Sequence, residues 1–179
     1  MKTVLVTLLG GTLAMALGGA GCGRADASSV AAAGAAAPAG SDSASAPAGP
    51  VIDVAEFKAT AKFDGKVSKG ATASFEIVVS AKSDFHVNPD YPTRFKADAD
   101  SDSVKYPSPK LDRSKDDKPF VLDKCATDAD HSCVMHVTVP FTAQASGAIS
   151  VGGTLSFGLC NADKCLVEKA PLELPITAQ

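Results

Sequence analysis

The sequence predicts an all-β fold, an antiparallel immunoglobulin-like β-sandwich, on three observations. Apolar and polar residues alternate with a period of two, and no stretch keeps the stripe of an amphipathic helix. Gly, Pro, Asp and Asn punctuate the gaps between the alternating runs, as turns require. Seven to nine short strands are packed into residues 51–179, which at 129 residues are enough for one domain with a real core.

The first candidate strand covers 55–63. "TASFEIVVS" follows, with Phe75, Ile77 and Val79 on one face. Short candidates lie at 84–88, 93–97, 103–106 and 118–123. "CVMHVTVPFTA" groups Met135, Val137, Val139 and Phe141, with His136 and Thr138 opposite. Pro140 in that run predicts an edge or a bulge, because proline cannot donate to a ladder. "GAISVGGTLSFGL" groups Ile149, Val151, Leu155, Phe157 and Leu159. "APLELPITA" repeats the scheme with Leu172, Leu174 and Ile176.

The amino terminus has a different composition. "MKTVLVTLLGGTLAMALGGAG", residues 1–21, has one Lys, an uncharged run and closing small residues, the form of an export signal. The run is too short and too rich in glycine for a membrane span. "LGGAGC" resembles a bacterial lipobox in which Cys22 becomes the lipidated terminus, although Gly19 stands where Leu is usual. Ordinary cleavage after Ala27 is the alternative. In residues 23–50, 24 of 28 are Ala, Gly, Ser or Pro, too few apolar groups to offset the entropy of ordering. The segment 22–50 therefore reads as a lipid-anchor cysteine and a disordered tether, spanning about 30 Å as a coil. The expected location is the bacterial periplasm, anchored by lipid. Gly23, rather than Asp, after Cys22 favours the outer membrane.

Charge narrows the partners. With 17 Lys and Arg against 20 Asp and Glu, net −3, and no basic block, nucleic acid is not expected. Of five cysteines, four fall in the domain: Cys125, Cys133, Cys160 and Cys165. An even count in an exported domain favours disulfides. Three pairings exist on paper, and the two local ones are simplest.

"CNADKC", residues 160–165, lies between two alternating runs. Four residues suit a β-hairpin loop, and opposed Cα atoms beside such a turn lie about 4.5–5.5 Å apart, within reach of a disulfide. The loop closed is short, so the stabilisation is modest. An exposed turn also leaves the bridge open to another thiolate. Lys164 would favour a thiolate at Cys165, whereas Asp163 and Glu168 would oppose it. Cys160 ends a packed strand and Cys165 follows the exposed loop, so Cys165 is expected to meet a partner and Cys160 to resolve.

"SFGLCNADKCLVEKAPLELPI" resembles the signature of the amino-terminal domain of DsbD, the bacterial thiol:disulfide interchange protein: an aromatic, a cysteine, a polar loop, a second cysteine, Leu, and a strand of alternating Leu. "SDFHVNPDYPTRF" and "GGTLSF" extend the likeness over most of residues 55–177. The resemblance implies an immunoglobulin-like domain in which Cys160 and Cys165 are a redox-active pair, passing electrons to periplasmic thioredoxin-like or other thiol–disulfide proteins without a cofactor. It places Phe85 and His86 beside the cysteines, and "SKDDKPF" around Phe120 about where the family carries a protective loop. The family's membrane-embedded conduit and thioredoxin-like domain have no counterpart in this sequence, and the loop between the cysteines is shorter than in many members.

"CATDADHSCVMH" gathers Cys125, His131, Cys133, Met135 and His136, soft ligands of the kind copper or zinc prefers. Their spacing fits no familiar zinc framework, and on a strand His136 faces away from Cys133 and Met135. A structural Cys125–Cys133 disulfide is the reading carried forward, with no metal assigned. His86 and Tyr91 flank a turn set by Asn88–Pro89. The acidic positions Asp98, Asp100 and Asp102 read as a solvated loop, lacking the Gly and Glu of an EF-hand. Three functions therefore stand: thiol–disulfide exchange, a copper- or zinc-binding module using Cys133, Met135 and a His, and an interaction domain braced by two disulfides.

Overall fold

The computed structural model describes residues 48–116, 118–126, 128 and 130–179. The export signal, Cys22 and all but the last three residues of the 22–50 segment lie outside them. Among the described residues eleven strands form, with every strand–strand ladder antiparallel: β1 (Val51–Asp53), β2 (Phe57–Lys62), β3 (Thr72–Ala81), β4 (His86–Val87), β5 (Arg94–Ala97), β6 (Val104–Lys105), β7 (Lys110–Asp112), β8 (Phe120–Lys124), β9 (Ser132–Ala143), β10 (Gly147–Cys160) and β11 (Cys165–Ala178). No helix among the described residues is long and apolar enough to cross a membrane.

Two layers carry the core. One runs β1-β2-β3-β9, with β8 and β6 on the far side of β9; the other runs β11-β10-β5-β7. Aromatic pairs cross between them: Phe57 of β2 meets Phe157 of β10 edge-on at 5.0 Å, and Phe75 of β3 meets Phe95 of β5 at 6.2 Å. The faces predicted from alternation are the buried ones, with Ile77, Val79, Met135, Val137, Val139, Phe141, Leu155, Phe157 and Leu159 at 1 % exposure or less. β4 joins the layers, since Val87 pairs with Leu159 of β10 and with Ser132 of β9.

Two strands were not legible as alternation: β1 and β7 have three residues each, too few for a period to declare itself. Residues just before 51 are also tied to the sheet. Gly49 accepts a backbone bond from Glu173, and Pro50 accepts one from Ala61.

The prolines follow the ladder rule. Pro140 is opposite Ser74 of β3. Thr138 N–H, two residues earlier and pointing the same way, donates to Pro119 O on the other side. The missing N–H of Pro140 therefore faces the gap between β8 and β6, the edge anticipated for it. Pro171 and Pro175 of β11 share the parity of Glu173, whose N–H points away from β10 to Gly49. Both prolines thus lose a donor only on the outer side of the strand.

Candidate functional site

The longest ladder in the fold ends on the cysteine pair. β10 and β11 pair without interruption from Gly147↔Ala178 to Cys160↔Cys165. Asn161 makes the turn between them. Its N–H donates to Lys164 O at 2.9 Å, and its side-chain Oδ1 accepts from the N–H groups of Asp163 and Lys164, both at 3.0 Å. An asparagine that bonds its own backbone two residues on is a turn former by chemistry. Because the Asn161 N–H donates to Lys164 O across the turn, the next pair out, Cys160 and Cys165, is of the close, non-hydrogen-bonded kind. Their Cα atoms are 4.0 Å apart and their sulfurs are bonded.

The two sulfurs belong to unequal surroundings. Cys165 is exposed, whereas Cys160 is only 7 % exposed although its parity on β10 puts it opposite Leu159 and the core. Residues 84–91 cover it. Asn88 Nδ2 donates to Cys160 Sγ at 3.3 Å, and the Asn161 amide ties the turn to Asp84 Oδ2 at 2.9 Å. Tyr91 lies over Gly158, where a Cβ would stand 2.7 Å from the Tyr91 Cβ; only glycine admits the ring. Asn88 holds the cover in shape by accepting from Asp90 N–H at 2.8 Å, the turn expected at Asn88–Pro89.

Phe85 and His86 are both at the site. Lys164 Nζ is 5.8 Å from the centre of the Phe85 ring, and His86 is directly opposite Cys160 in register. His86, Cys160 and Cys165 thus form one row across β4, β10 and β11. Glu168, expected to oppose a thiolate at Cys165, has the other parity and is opposite the core residue Phe157. Burial, and secondly Glu56, push its carboxyl above the usual range. Val167, two residues from Cys165 on the same face, is 59 % exposed.

Phe120 does not join this group. It pairs with Val137 of β9 and is buried in the core, whereas the site meets β9 at Ser132, five residues away along the strand. The resemblance set a protective loop about there, but residues 84–91 do the covering.

The second cysteine pair, Cys125–Cys133, is also a disulfide, with Cα atoms 4.8 Å apart. It closes the loop between β8 and β9, where Cys125 N–H donates to His131 O at 3.0 Å. Met135 is fully buried. His136 is on the opposite face, its Nδ1 2.5 Å from Glu76 Oε1 and its Nε2 3.2 Å from Asp123 Oδ2. The five soft-ligand residues of this segment therefore do not converge, and no group of three or more His, Cys, Asp or Glu among the described residues is arranged to hold a metal ion.

Sequence reasoning passed over Asn161, Gly158 and Asp84, and treated His131 only as a possible ligand. The Asn-x-Asp pattern at 88–90 and again at 161–163 was the available signal, because both stretches fold as side-chain-closed turns. Comparisons add little: no family model and no curated protein matches the chain. Among solved structures it is similar to the cohesin module of a family 33 glycoside hydrolase from Clostridium perfringens ATCC13124, at 10 % identity and a TM-score of 0.33, over 66 % of this chain and 98 % of that one. A likeness of that size carries no argument about function.

Proposed function

We propose that this domain is a thiol–disulfide exchange module, related to the amino-terminal domain of DsbD, in which Cys160 and Cys165 alternate between disulfide and dithiol. The observation that carries the reading is the asymmetry of the pair: a disulfide at the turn end of a long hairpin, one cysteine exposed and the other covered. In the reduced state the Cys165 thiolate attacks a partner disulfide, forming a mixed disulfide and releasing one partner thiolate. Cys160 then attacks the Cys165 sulfur, the bond to the partner breaks, and the second partner sulfur leaves with the electron pair. The domain is oxidised by two electrons and the partner disulfide becomes a dithiol. The partners are thioredoxin-like or other thiol–disulfide proteins of the bacterial periplasm. Lys164 favours the Cys165 thiolate, and Val167 offers apolar contact beside it.

The hairpin itself argues for chemistry over bracing. Fourteen ladder pairs already fix β10 against β11 in the folded chain, and the loop closed is short, so constraint of the unfolded chain contributes only about 2 kcal/mol. A redox titration with mass-spectrometric counting of alkylated cysteines tests the function. Cys160 and Cys165 should become alkylated together at a potential far above that of Cys125 and Cys133. Two equally resistant bridges would instead leave a braced interaction domain, and metal-dependent protection of Cys133 would point to copper or zinc.

The same proposal places the domain at a membrane through a lipidated Cys22. Cys22→Ser should move the protein from the membrane to the soluble periplasmic fraction; unchanged membrane association would remove the anchor.

A further inference from the structure

The two disulfides are linked through a pair of histidines. His131, in the loop closed by Cys125–Cys133, stacks on His86 with ring centres 4.0 Å apart and planes inclined at 36°. His131 is itself held by Asp128, whose Oδ2 is 2.5 Å from His131 Nδ1. His86 is opposite Cys160 in register, so the two side chains share a face with Cβ atoms about 4.5–5.5 Å apart. An exposed histidine on a polar loop and a half-buried histidine beside a covered sulfur are thus brought together by elements distant in sequence.

We propose that His86 is the proton acceptor for Cys160 when it resolves the mixed disulfide, and that His131, anchored by Asp128 and the Cys125–Cys133 bridge, is the positioning residue that holds the His86 ring against it. This deepens the exchange reading and rests on it. In the step, the Cys160 S–H proton passes to a ring nitrogen of His86 as the Cys160 sulfur bonds to Cys165. The Cys165–partner bond breaks, and its electron pair leaves on the partner sulfur. Asn88, donating to Cys160 Sγ, stabilises the negative charge that develops there.

A base must be neutral to accept the proton, and the surroundings arrange this. Burial first, and then the like charge of His131, hold the His86 pKa below its ordinary value, with Asp128 opposing more weakly. The other charged groups around this end include Asp84, bonded to the Asn161 amide, Lys164, which lies over Phe85, Lys124, which donates to Asp130 O, and Asp90, Asp130 and Asp163 in the neighbouring turns. The Cys125–Cys133 bridge thereby has a second duty, since it fixes the loop that brings His131 to the other pair.

The test uses oxidised glutathione as the disulfide and follows, in the full chain with Cys160–Cys165 selectively reduced and Cys125–Cys133 kept oxidised, formation and resolution of the Cys165–glutathione adduct by acid-quench mass spectrometry from pH 5 to 9. In the unsubstituted chain the resolution rate should rise with pH, inflect below the ordinary histidine value and level off through neutrality. His86→Gln should slow resolution about tenfold or more at neutral pH, remove the inflection, and approach the unsubstituted rate only at alkaline pH, where the thiol ionises unaided. Adduct formation at Cys165 should be little changed. His131→Ala, at an exposed position, should move the inflection upward, because the repelling neighbour is gone. Superimposable pH profiles for His86→Gln and the unsubstituted chain would overturn the role of His86 and leave exchange standing. An unmoved inflection in His131→Ala would overturn the role of His131. Failure of the unsubstituted chain to form or resolve any adduct would overturn exchange and this inference together.

Discussion

The Cys160–Cys165 and Cys125–Cys133 bridges are the same bond in two different settings. The first ends an unbroken ladder, with one sulfur covered and the other open to solvent. The second closes a loop onto β8, which pairs with β9 over five residues and with a register shift between Asp123 and Lys124. Its cysteines are equivalent in exposure, both half-buried. Where the backbone is already fixed, a bridge adds little order and its asymmetry can serve exchange. Where the ladder is short and irregular, the bridge itself supplies the order. On the proposed reading, the bond does not set the role; the strand pairing around it does.

Substituting single cysteines should give the largest effect and break the comparison if it is wrong. Cys160→Ala should accumulate mixed disulfides with periplasmic thioredoxin-like proteins, seen on non-reducing gels and lost with reductant, because the resolving thiol is gone. Cys165→Ala should trap far fewer. The reverse pattern would exchange the two roles, and no trapping by either variant would remove exchange.

The next effect is on stability. Replacing both Cys125 and Cys133 by Ser should lower the unfolding free energy by about 2–3 kcal/mol, the chain-entropy value for a loop of this size, measured by denaturant titration. Exchange at the other pair should persist with an altered pH profile. Unchanged stability with loss of exchange would mean that the two bridges had been assigned the wrong way round.

Gly158→Ala sharpens the comparison by making Cys160 more like Cys165. The added Cβ would stand 2.7 Å from the Tyr91 Cβ, so the cover must move. A stability loss of about 1–3 kcal/mol should come with faster alkylation of reduced Cys160. Unchanged alkylation would show that Tyr91 and its neighbours do not shield the sulfur.

The smallest effect serves as a control on β3, which pairs with β9. The Glu76 pKa lies below its ordinary value, first through the hydrogen bond from Lys62 at 2.9 Å and then through that from His136. A depressed carboxyl pKa contributes stability that is present above the usual carboxylate range and is lost as pH falls through the lowered value. Glu76→Gln should therefore flatten the acid limb of the stability curve by about 0.5 kcal/mol, as for a largely solvated ion pair. The same flattening should appear with either disulfide removed; a difference would mean that His136 communicates with the Cys125–Cys133 loop.

How far the sequence could be read follows from the range of each interaction. Alternation is local and needs about five residues to show itself, so β3, β9, β10 and β11 were legible along with their buried faces, and three-residue β1 and β7 were not. The Cys160–Cys165 bridge was also local: a four-residue loop between two alternating runs leaves the sulfurs little choice. The exposed side of that pair could be read because Asn161, Asp163 and Lys164 are polar.

Tertiary structure decided everything that depends on register between distant strands. The resemblance sets Phe120 about where a protective loop would lie, yet in candidate strand 118–123 its pairing with Val137 sends it into the core. Glu168 stands three residues from Cys165 in sequence, and the period of the strand turns it to the other face. Most of all, nothing in "DFHVN" or "DADHSC" announces that His86 and His131 will stack. That contact exists because two-residue β4 is held between β9 and β10. A strand of two residues has too little pattern of its own to predict its place, and only the ladders on either side fix it.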